Sequence, residues 1–347
     1  MSQSQRLPGL DLVRVLAVYF IILSHSGLEL FRGVGVPFLL ALSGFLITKT
    51  LIREYNGTNG LDIKRFWRNR FLRIAPAYYA FIAMAYILDV VILGESWENN
   101  LLIFTLFHAV NYYNAVFGHG SGMVAHLWTL STMEQFYLVY PILIYFAFLV
   151  GRPISIILLV MAVSMLWRSL IFSSLISIEH ETAWLYNALD TRVDSLLIGA
   201  LAAFYMQKTP FKEINTPTWF WALLLVVSVY ASNSIQAIPE LHYTIGYSIE
   251  GILAIIAMLA IMKISEIKLF SFVNGKLITS LAKISYPMYL YHPIGLGVGF
   301  KFFDYYLLSL IAGTITTITL AILSYKFVEK PCMLYRARKT LKESQVN

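Results

Sequence analysis

The sequence predicts an all-α fold: a polytopic integral membrane helical bundle of about ten transmembrane helices with both ends in the cytosol. Two observations carry this. Of 347 residues, 58% are hydrophobic and only 13% charged, against about 25% charged in an ordinary globular domain, and the mean hydropathy is +0.69. The apolar residues also come in blocks close to the ~20 residues that a helix needs to cross a ~30 Å hydrocarbon core, rather than alternating as barrel strands do.

Helices are expected near residues 11–30, 34–53, 74–93, 125–149, 153–172, 187–206, 218–236, 243–263, 277–300 and 305–327. The first, from Leu12 to Leu30, is too long for a signal-peptide core and lacks a small-residue cleavage site, so it reads as a retained helix. Ten crossings with a cytosolic N-terminus put every Lys and Arg on or near the cytosolic side except Arg32, Arg168, Arg192 and Lys301, as the positive-inside rule requires. Residues 99–117 are apolar but carry Asn99, Asn100, His108, Asn111 and Asn114. Counting them as a crossing would put every later basic loop outside, so they are assigned to an external or re-entrant hairpin. Loops on that side hold Glu95, Glu98, Glu179, Glu181 and Glu240. The chain reads as one membrane domain over residues 1–330 and a basic cytosolic tail over 331–347.

This topology places the Asn56-Gly57-Thr58 sequon in the cytosol, where it stays unused, and the single Cys332 excludes an intramolecular disulfide framework. The net charge of +7 is the topological signal together with attraction to anionic lipid, so the lipid bilayer is the expected partner and nucleic acid is not. The sequence assigns no oligomeric state.

Chemistry must come from polar groups inside the membrane, each costing at least ~2.5 kcal/mol when charged at a helix centre. Arg14 and His25 are eleven residues apart on the first helix, so they point the same way about 16 Å apart along its axis. A cation near the cytosolic mouth with an imidazole far inside suits an anionic donor entering from the cytosol. The competing readings are an arginine that snorkels to the interface and a packed, hydrogen-bonded histidine. Arg65, Arg68, Arg70 and Arg73, interleaved with Phe66, Trp67 and Phe71, read as an interfacial segment able to hold phosphates, or equally as a topology determinant. The run from His126 to Tyr137 opens the fourth helix and carries Glu134 about 12 Å in. Ser131 and Gln135 share one face of it, as i, i+4 neighbours. Glu134 is either functional or half of an interhelical structural pair. Arg192 and Asp194 read as a structural polar cluster, and His292-Pro293 as a kink.

At these residues the chain resembles the acyltransferase family 3 membrane proteins. The matching pieces are Leu10 to Arg14 with the spacing to His25, Ser43-Gly44-Phe45-Leu46-Ile47, Phe66 to Pro76, His126-Leu127-Trp128 through Tyr137, Arg192-Val193-Asp194 with Gly199, Ile284 to Pro293, and Phe327 to Pro331. They run in family order over nearly the whole chain.

The resemblance implies an O-acyltransferase in the bacterial inner (plasma) membrane that uses acyl-CoA, usually acetyl-CoA as a co-substrate, with no resident cofactor. The implied acceptor is a hydroxyl of a surface carbohydrate or its glycolipid precursor. By carry-over His25 and Glu134 are catalytic, while Arg14, Arg65, Arg68, Arg70 and Arg73 bind the donor. His126, Ser131, Gln135, Arg192, Asp194 and His292 form an acceptor site or a structural polar cluster. Met133 stands where the family often has a second Glu, which leaves only Glu134. No hydrolase-like domain follows the last helix, so the chain is expected to be a stand-alone member. A metal is not implied, since His119 and His126 lack further ligands. A glycolipid flippase or transporter, or a sensor, is the alternative class; a transporter would favour inverted repeats, and none is visible.

Overall fold

The computed structural model describes residues 7–28, 31–120, 122–208 and 216–335. All regular structure among them is helical. In chain order the helices are α1 Leu10–His25, α2 Gly35–Thr58, α3 Ile63–Tyr86, α4 Leu101–Leu106, α5 Val110–Phe117, α6 Trp128–Leu149, α7 Pro153–Phe172, α8 Glu181–Asn187, α9 Leu189–Lys208, α10 Thr218–Gln236, α11 Pro239–Leu241, α12 Tyr247–Ile264, α13 Lys276–Phe302 and α14 Tyr306–Ser324. Arg6, Lys212 and the tail from residue 336 onward lie outside the described residues.

Helices occupy all ten expected stretches, and local chemistry explains where their ends differ. α1 stops at His25 because Ser26 turns its hydroxyl onto the Leu23 carbonyl at 2.7 Å and Gly27 takes a φ of 98°, a left-handed value that glycine adopts without strain. His25 is therefore the last helical residue and not mid-span. α3 starts eleven residues before the expected residue 74, since the Asp62 side chain accepts the Arg65 N–H at 2.8 Å as an N-cap. The basic run is thus the opening turns of α3, not a separate interfacial segment. Residues 99–117 form α4 and α5, of six and eight residues, which rise only about 9 and 12 Å. The break between them falls at His108, whose φ is 53°. His108 stacks on Tyr78 at 3.9 Å, and burial pushes its imidazole down to about 4.

Among the described residues, seven helical stretches are long and apolar enough to cross a membrane: Gly35–Thr58, Ile63–Ile92, Ala125–Leu149, Pro153–Phe172, Thr218–Gln236, Pro239–Ile264 and Tyr306–Tyr335. Their outer faces are apolar, as at Val226, Leu159 and Ile315, 66%, 63% and 59% exposed. The three expected crossings that do not qualify are α1, α9 and α13. α1 is 16 residues long, and the other two carry Arg192 and Asp194, and His292. These three hold Arg14, His25, Arg192, Asp194 and His292, whereas Glu134, Ser131 and Gln135 lie on α6 and the arginine run on α3, which do qualify.

Close approach of backbones sets the packing. A Cβ on Gly44 of α2 would stand 1.8 Å from the Leu196 carbonyl oxygen of α9, and one on Gly199 would stand 1.9 Å from that of Ala41. Small residues at such crossings replace the hydrophobic drive that lipid does not supply. Gly44→Val should therefore force α2 and α9 apart at a cost of about 1–3 kcal/mol or more. A thermal scan of the detergent-purified protein should read this as a melting midpoint lowered by several degrees; an unchanged midpoint would contradict the contact.

Candidate active site

Three histidines from distant parts of the chain meet at the end of α1. His25 Nδ1 lies 2.6 Å from His292 Nε2, and the two rings stack with centroids 4.9 Å apart. His126, in the short turn before α6, sets its ring edge-on to His292, also at 4.9 Å. His292 and His126 are buried, whereas His25 is exposed. Both ring nitrogens of His126 lack a well-formed hydrogen bond, with backbone groups of Met123, Tyr289 and Leu290 nearest to them.

The sequence dictates which nitrogens carry hydrogen. Pro293 has no N–H, so within α13 it leaves the carbonyl of Tyr289, four residues earlier, without its helical donor. His292 Nδ1 lies 2.7 Å from that oxygen. A carbonyl only accepts, so Nδ1 holds the hydrogen and His292 Nε2 keeps its lone pair. His25 Nδ1 then donates to that lone pair, and for neutral rings His25 is left with a bare Nε2 on its exposed edge. The His-Pro pair read as a kink is the device that fixes the tautomer of His25. The Tyr289 hydroxyl adds a second tie by donating to the His126 carbonyl, with Thr129 beside it.

Arg192 and Asp194 do not pair with each other. Asp194 takes Nη1 and Nη2 of Arg168, each at 3.0 Å, together with the Ser248 hydroxyl and the Ser195 N–H at 3.0 Å. Arg168 also donates to the carbonyls of Thr191 at 2.6 Å and Thr244 at 2.5 Å; both charged side chains are fully buried. Arg192, 1% exposed, lies over the Tyr247 ring at 3.7 Å, with Tyr186 and Trp128 at 5.4 and 5.7 Å. Among the described residues its Nε and Nη1 have no hydrogen-bond partner, so ring faces hold the cation.

Two cavities lie at opposite ends of α2. A cleft of about 180 Å³ is lined by Thr50, Glu54, Arg65, Asn69, Arg70 and Arg73. Glu54 holds Arg65 at 2.7 Å, and Arg70 sits over the rings of Phe66 and Tyr137 at 5.5 and 5.1 Å. That space is below the ~300 Å³ of a typical ligand pocket and suits a phosphate group rather than a whole donor. Arg68 does not line it, and neither does Arg14, which pairs with Asp11 at 3.2 Å. The second cavity, of about 790 Å³, lies at the His25 end, between Arg32, His119, His180, Tyr186, Asn233 and Tyr243 among others. His119 is near enough to His25 for their charges to interact. From Gly35 to Glu54 α2 rises about 28 Å, close to the thickness of a hydrocarbon core.

The remaining candidates separate. Val18 and Ile21 fall between Arg14 and His25 on their shared face of α1, and each is buried to 3% exposure, so packed side chains fill that stripe. Glu134 lies in the field of Arg70 and near Tyr137 and Tyr286, about 12 Å along the chain axis from His126. Ser131 and Gln135 anchor the α4–α5 hairpin: Ser131 accepts the Val110 N–H at 3.2 Å, and Gln135 exchanges hydrogen bonds with Asn111 at 2.9 and 2.8 Å. Sequence reasoning missed Arg168, Tyr186, Tyr247 and Tyr289. The signal available for Arg168 was its place among the four basic residues that the expected topology leaves off the cytosolic side. Among the described residues no group of three or more His, Cys, Asp or Glu is arranged to hold a metal ion.

Residues 7–326 match the acyltransferase-domain family. The O-acetyltransferase OatA of Staphylococcus aureus strain NCTC 8325 is 26% identical over 357 residues, covering 95% of this chain and 58% of that protein. A putative O-acetyltransferase, SACOL0978 of strain COL, is 27% identical over 354 residues, covering 94% of this chain and 57% of its own length. The chain thus spans somewhat over half the length of the curated relatives it matches. No solved structure matches it significantly. With the family spanning nearly the whole helical bundle, the chain belongs to the acyltransferase 3 family of integral membrane proteins.

Proposed function

We propose that this chain transfers an acyl group, acetyl first of all, from acyl-CoA on the cytosolic side to a hydroxyl of a surface glycan or its lipid-linked precursor on the other side, with both chain ends cytosolic. The observation that carries the reading is the bare, exposed Nε2 of His25, fixed by His292 and the Tyr289 carbonyl. The acceptor hydroxyl gives its proton to that nitrogen as its oxygen attacks the thioester carbonyl; the C–S bond breaks, and the departing thiolate takes the proton back. His25 is the catalytic base and His292 its positioning residue. The acceptor enters through the 790 Å³ cavity. The donor's phosphates sit in the arginine cleft at the far end of α2, and Glu134 serves by orienting Arg70. The names of the relatives support acetyl as the group moved.

The test is to give the purified chain isotopically labelled acetyl-CoA and a panel of glycans. Label is expected on a glycan hydroxyl; movement of glycolipid without acylation would instead indicate a transporter. Labelled protein that forms with donor alone and discharges onto acceptor would replace the base role of His25 with an acyl-histidine route.

The cleft also separates two arginines. Arg70→Gln removes a charge-assisted contact to phosphate worth about 1.5–3 kcal/mol, so the donor KM should rise about tenfold or more. Arg68→Gln should leave it nearly unchanged. Equal effects of the two on KM would refute the cleft as the donor site.

A further inference from the structure

The wall of the large cavity holds an imidazole backed by a buried carboxylate. His242 lines the cavity, and its Nδ1 stands 3.2 Å from Oε1 of Glu250, which is 1% exposed. The contact is bent away from the line of a well-formed hydrogen bond, yet His242 is the one ion-pair partner of Glu250 among the described residues. Gln236, also on the cavity wall, donates to the same oxygen at 3.5 Å. Nδ1 is sealed from solvent, and among the described residues Nε2 has no hydrogen-bond partner, so Nε2 is the ring nitrogen on the open side.

The backbone is shaped to make this pair. His242 and Glu250 are eight residues apart, which in a regular α-helix sets two side chains about 80° apart round the axis and about 12 Å apart along it. His242–Gly246 is instead a π-helical turn leading into α12, and its wider winding brings the imidazole round to the face of the carboxylate. Such turns gather at functional sites. A buried ion pair adds little stability over apolar groups of the same size, so stability alone does not account for it. A carboxylate only accepts, so the neutral ring holds its hydrogen on Nδ1 and presents Nε2 as a lone pair. The negative charge behind the ring strengthens that acceptor. Tyr186 and Tyr243 line the cavity too, the Tyr243 ring edge-on to His242 at 4.9 Å. Aromatic walls with a few fixed polar groups orient a bound ligand, and a pyranose, with apolar faces and hydroxyls round its edge, fits them.

Resting on the reading of the chain as a glycan acyltransferase, we propose that the His242–Glu250 pair is a hydroxyl-binding subsite, in which His242 Nε2 accepts the hydrogen of a sugar hydroxyl that is not itself acylated. Holding that hydroxyl fixes how the sugar ring lies, and so which other hydroxyl meets His25. His242 is thus a specificity-determining residue, and Glu250 positions it. A sugar without the held hydroxyl leaves the lone pair unmatched, and a site built to bind a hydroxyl rejects such an analogue strongly.

Direct binding tests this without any acyl donor. The Trp128 ring lies 4.9 Å from that of Tyr186 on the cavity wall, so tryptophan fluorescence follows occupancy. Methyl glucoside, methyl galactoside, methyl mannoside and methyl N-acetylglucosaminide are titrated into the detergent-purified chain, and the tightest binder is then compared with its monodeoxy analogues. One analogue should bind about tenfold more weakly than its parent, or worse. The double variant His242→Phe with Glu250→Leu removes the pair whole, so no buried charge is stranded. In it, that analogue and its parent should bind within about twofold of each other, while the ratios at the other positions stand. Glu250→Gln, which keeps a neutral partner beside Nδ1, should fall between. Each variant is first shown to elute as the parent does in size exclusion. No binding of any of the four sugars, analogues that all bind like their parent, a preference that survives the double variant, or an equal loss for every sugar, as from a merely structural pair, would overturn the proposal. Hydroxyl-selective binding in a chain that acylates no glycan would leave this subsite standing and refute the acyltransferase reading instead.

Discussion

His25→Ala should cut acyl transfer by about 10²–10⁴-fold, the range that a positioned acid–base group contributes, with donor binding kept. The size follows from how the neighbouring imidazoles are held. His126 and His292 are buried, and His292 Nε2 faces His25 itself. His119 lines the large cavity but is tied through Nδ1 to the Asn187 side-chain oxygen at 2.9 Å and has no His292 to set its ring as His25 has. His292→Ala should act through the same atom. Without its partner the His25 ring is free to move its hydrogen to Nε2, and the lone pair then points away from the acceptor. That variant is expected to lower kcat by about 10²-fold with little change in KM, because it misplaces a base without touching either substrate. Transfer that survives in His25→Ala would remove the site assignment altogether.

Arg168→Leu should be the most destabilising single change in the bundle, at about 3–5 kcal/mol. The guanidinium satisfies Asp194, the Thr191 carbonyl and the Thr244 carbonyl from one fully buried position. Deleting it strands a carboxylate with no route to water. The double variant Arg168→Leu with Asp194→Leu should recover much of the loss, since a buried pair is far cheaper to replace whole than to halve. Apparent melting of the three purified proteins decides this. A double variant no better than the single would show that the two side chains act independently. α7, α9 and α12 all converge on this cluster, so its loss should also loosen the wall that carries Tyr247 and, through it, Arg192.

The fold class was legible because lipid imposes it. Blocks of apolar residues follow from the solvent, and helices overlap each of the ten expected stretches among the described residues. What hydropathy did not reveal is that the stretches around α1, α9 and α13 fall short of an apolar span, while Arg168 and Glu250 are buried on α7 and α12. The ends of helices depended on single side chains such as Asp62 and Ser26, whose effect rests on rotamers rather than composition.

The site was legible in part. His25 stood among the candidates as catalytic, and His126 and His292 as part of an acceptor site or structural polar cluster, but only the tertiary fold brings their rings together. The consequence of Pro293 was hidden for a related reason: a missing N–H matters here only because a histidine sits beside the carbonyl it leaves free. Arg192 and Asp194 read in the sequence as members of one structural polar cluster, whereas helix geometry gives Asp194 to Arg168, 26 residues away. The aromatic cage around Arg192 draws on Trp128, Tyr186 and Tyr247, too far apart in the chain for any spacing rule to join them.

The tautomer of His25 is read most directly from the nitrogen NMR spectrum of the chain with ¹⁵N-labelled histidine, His25 being assigned by its loss in His25→Gln. His25 is expected as the neutral tautomer with hydrogen on Nδ1 and a bare Nε2, reverting towards the common Nε2–H form in His292→Ala. A wild-type His25 that already carries its hydrogen on Nε2, and does not respond to His292→Ala, would contradict the relay and with it the base.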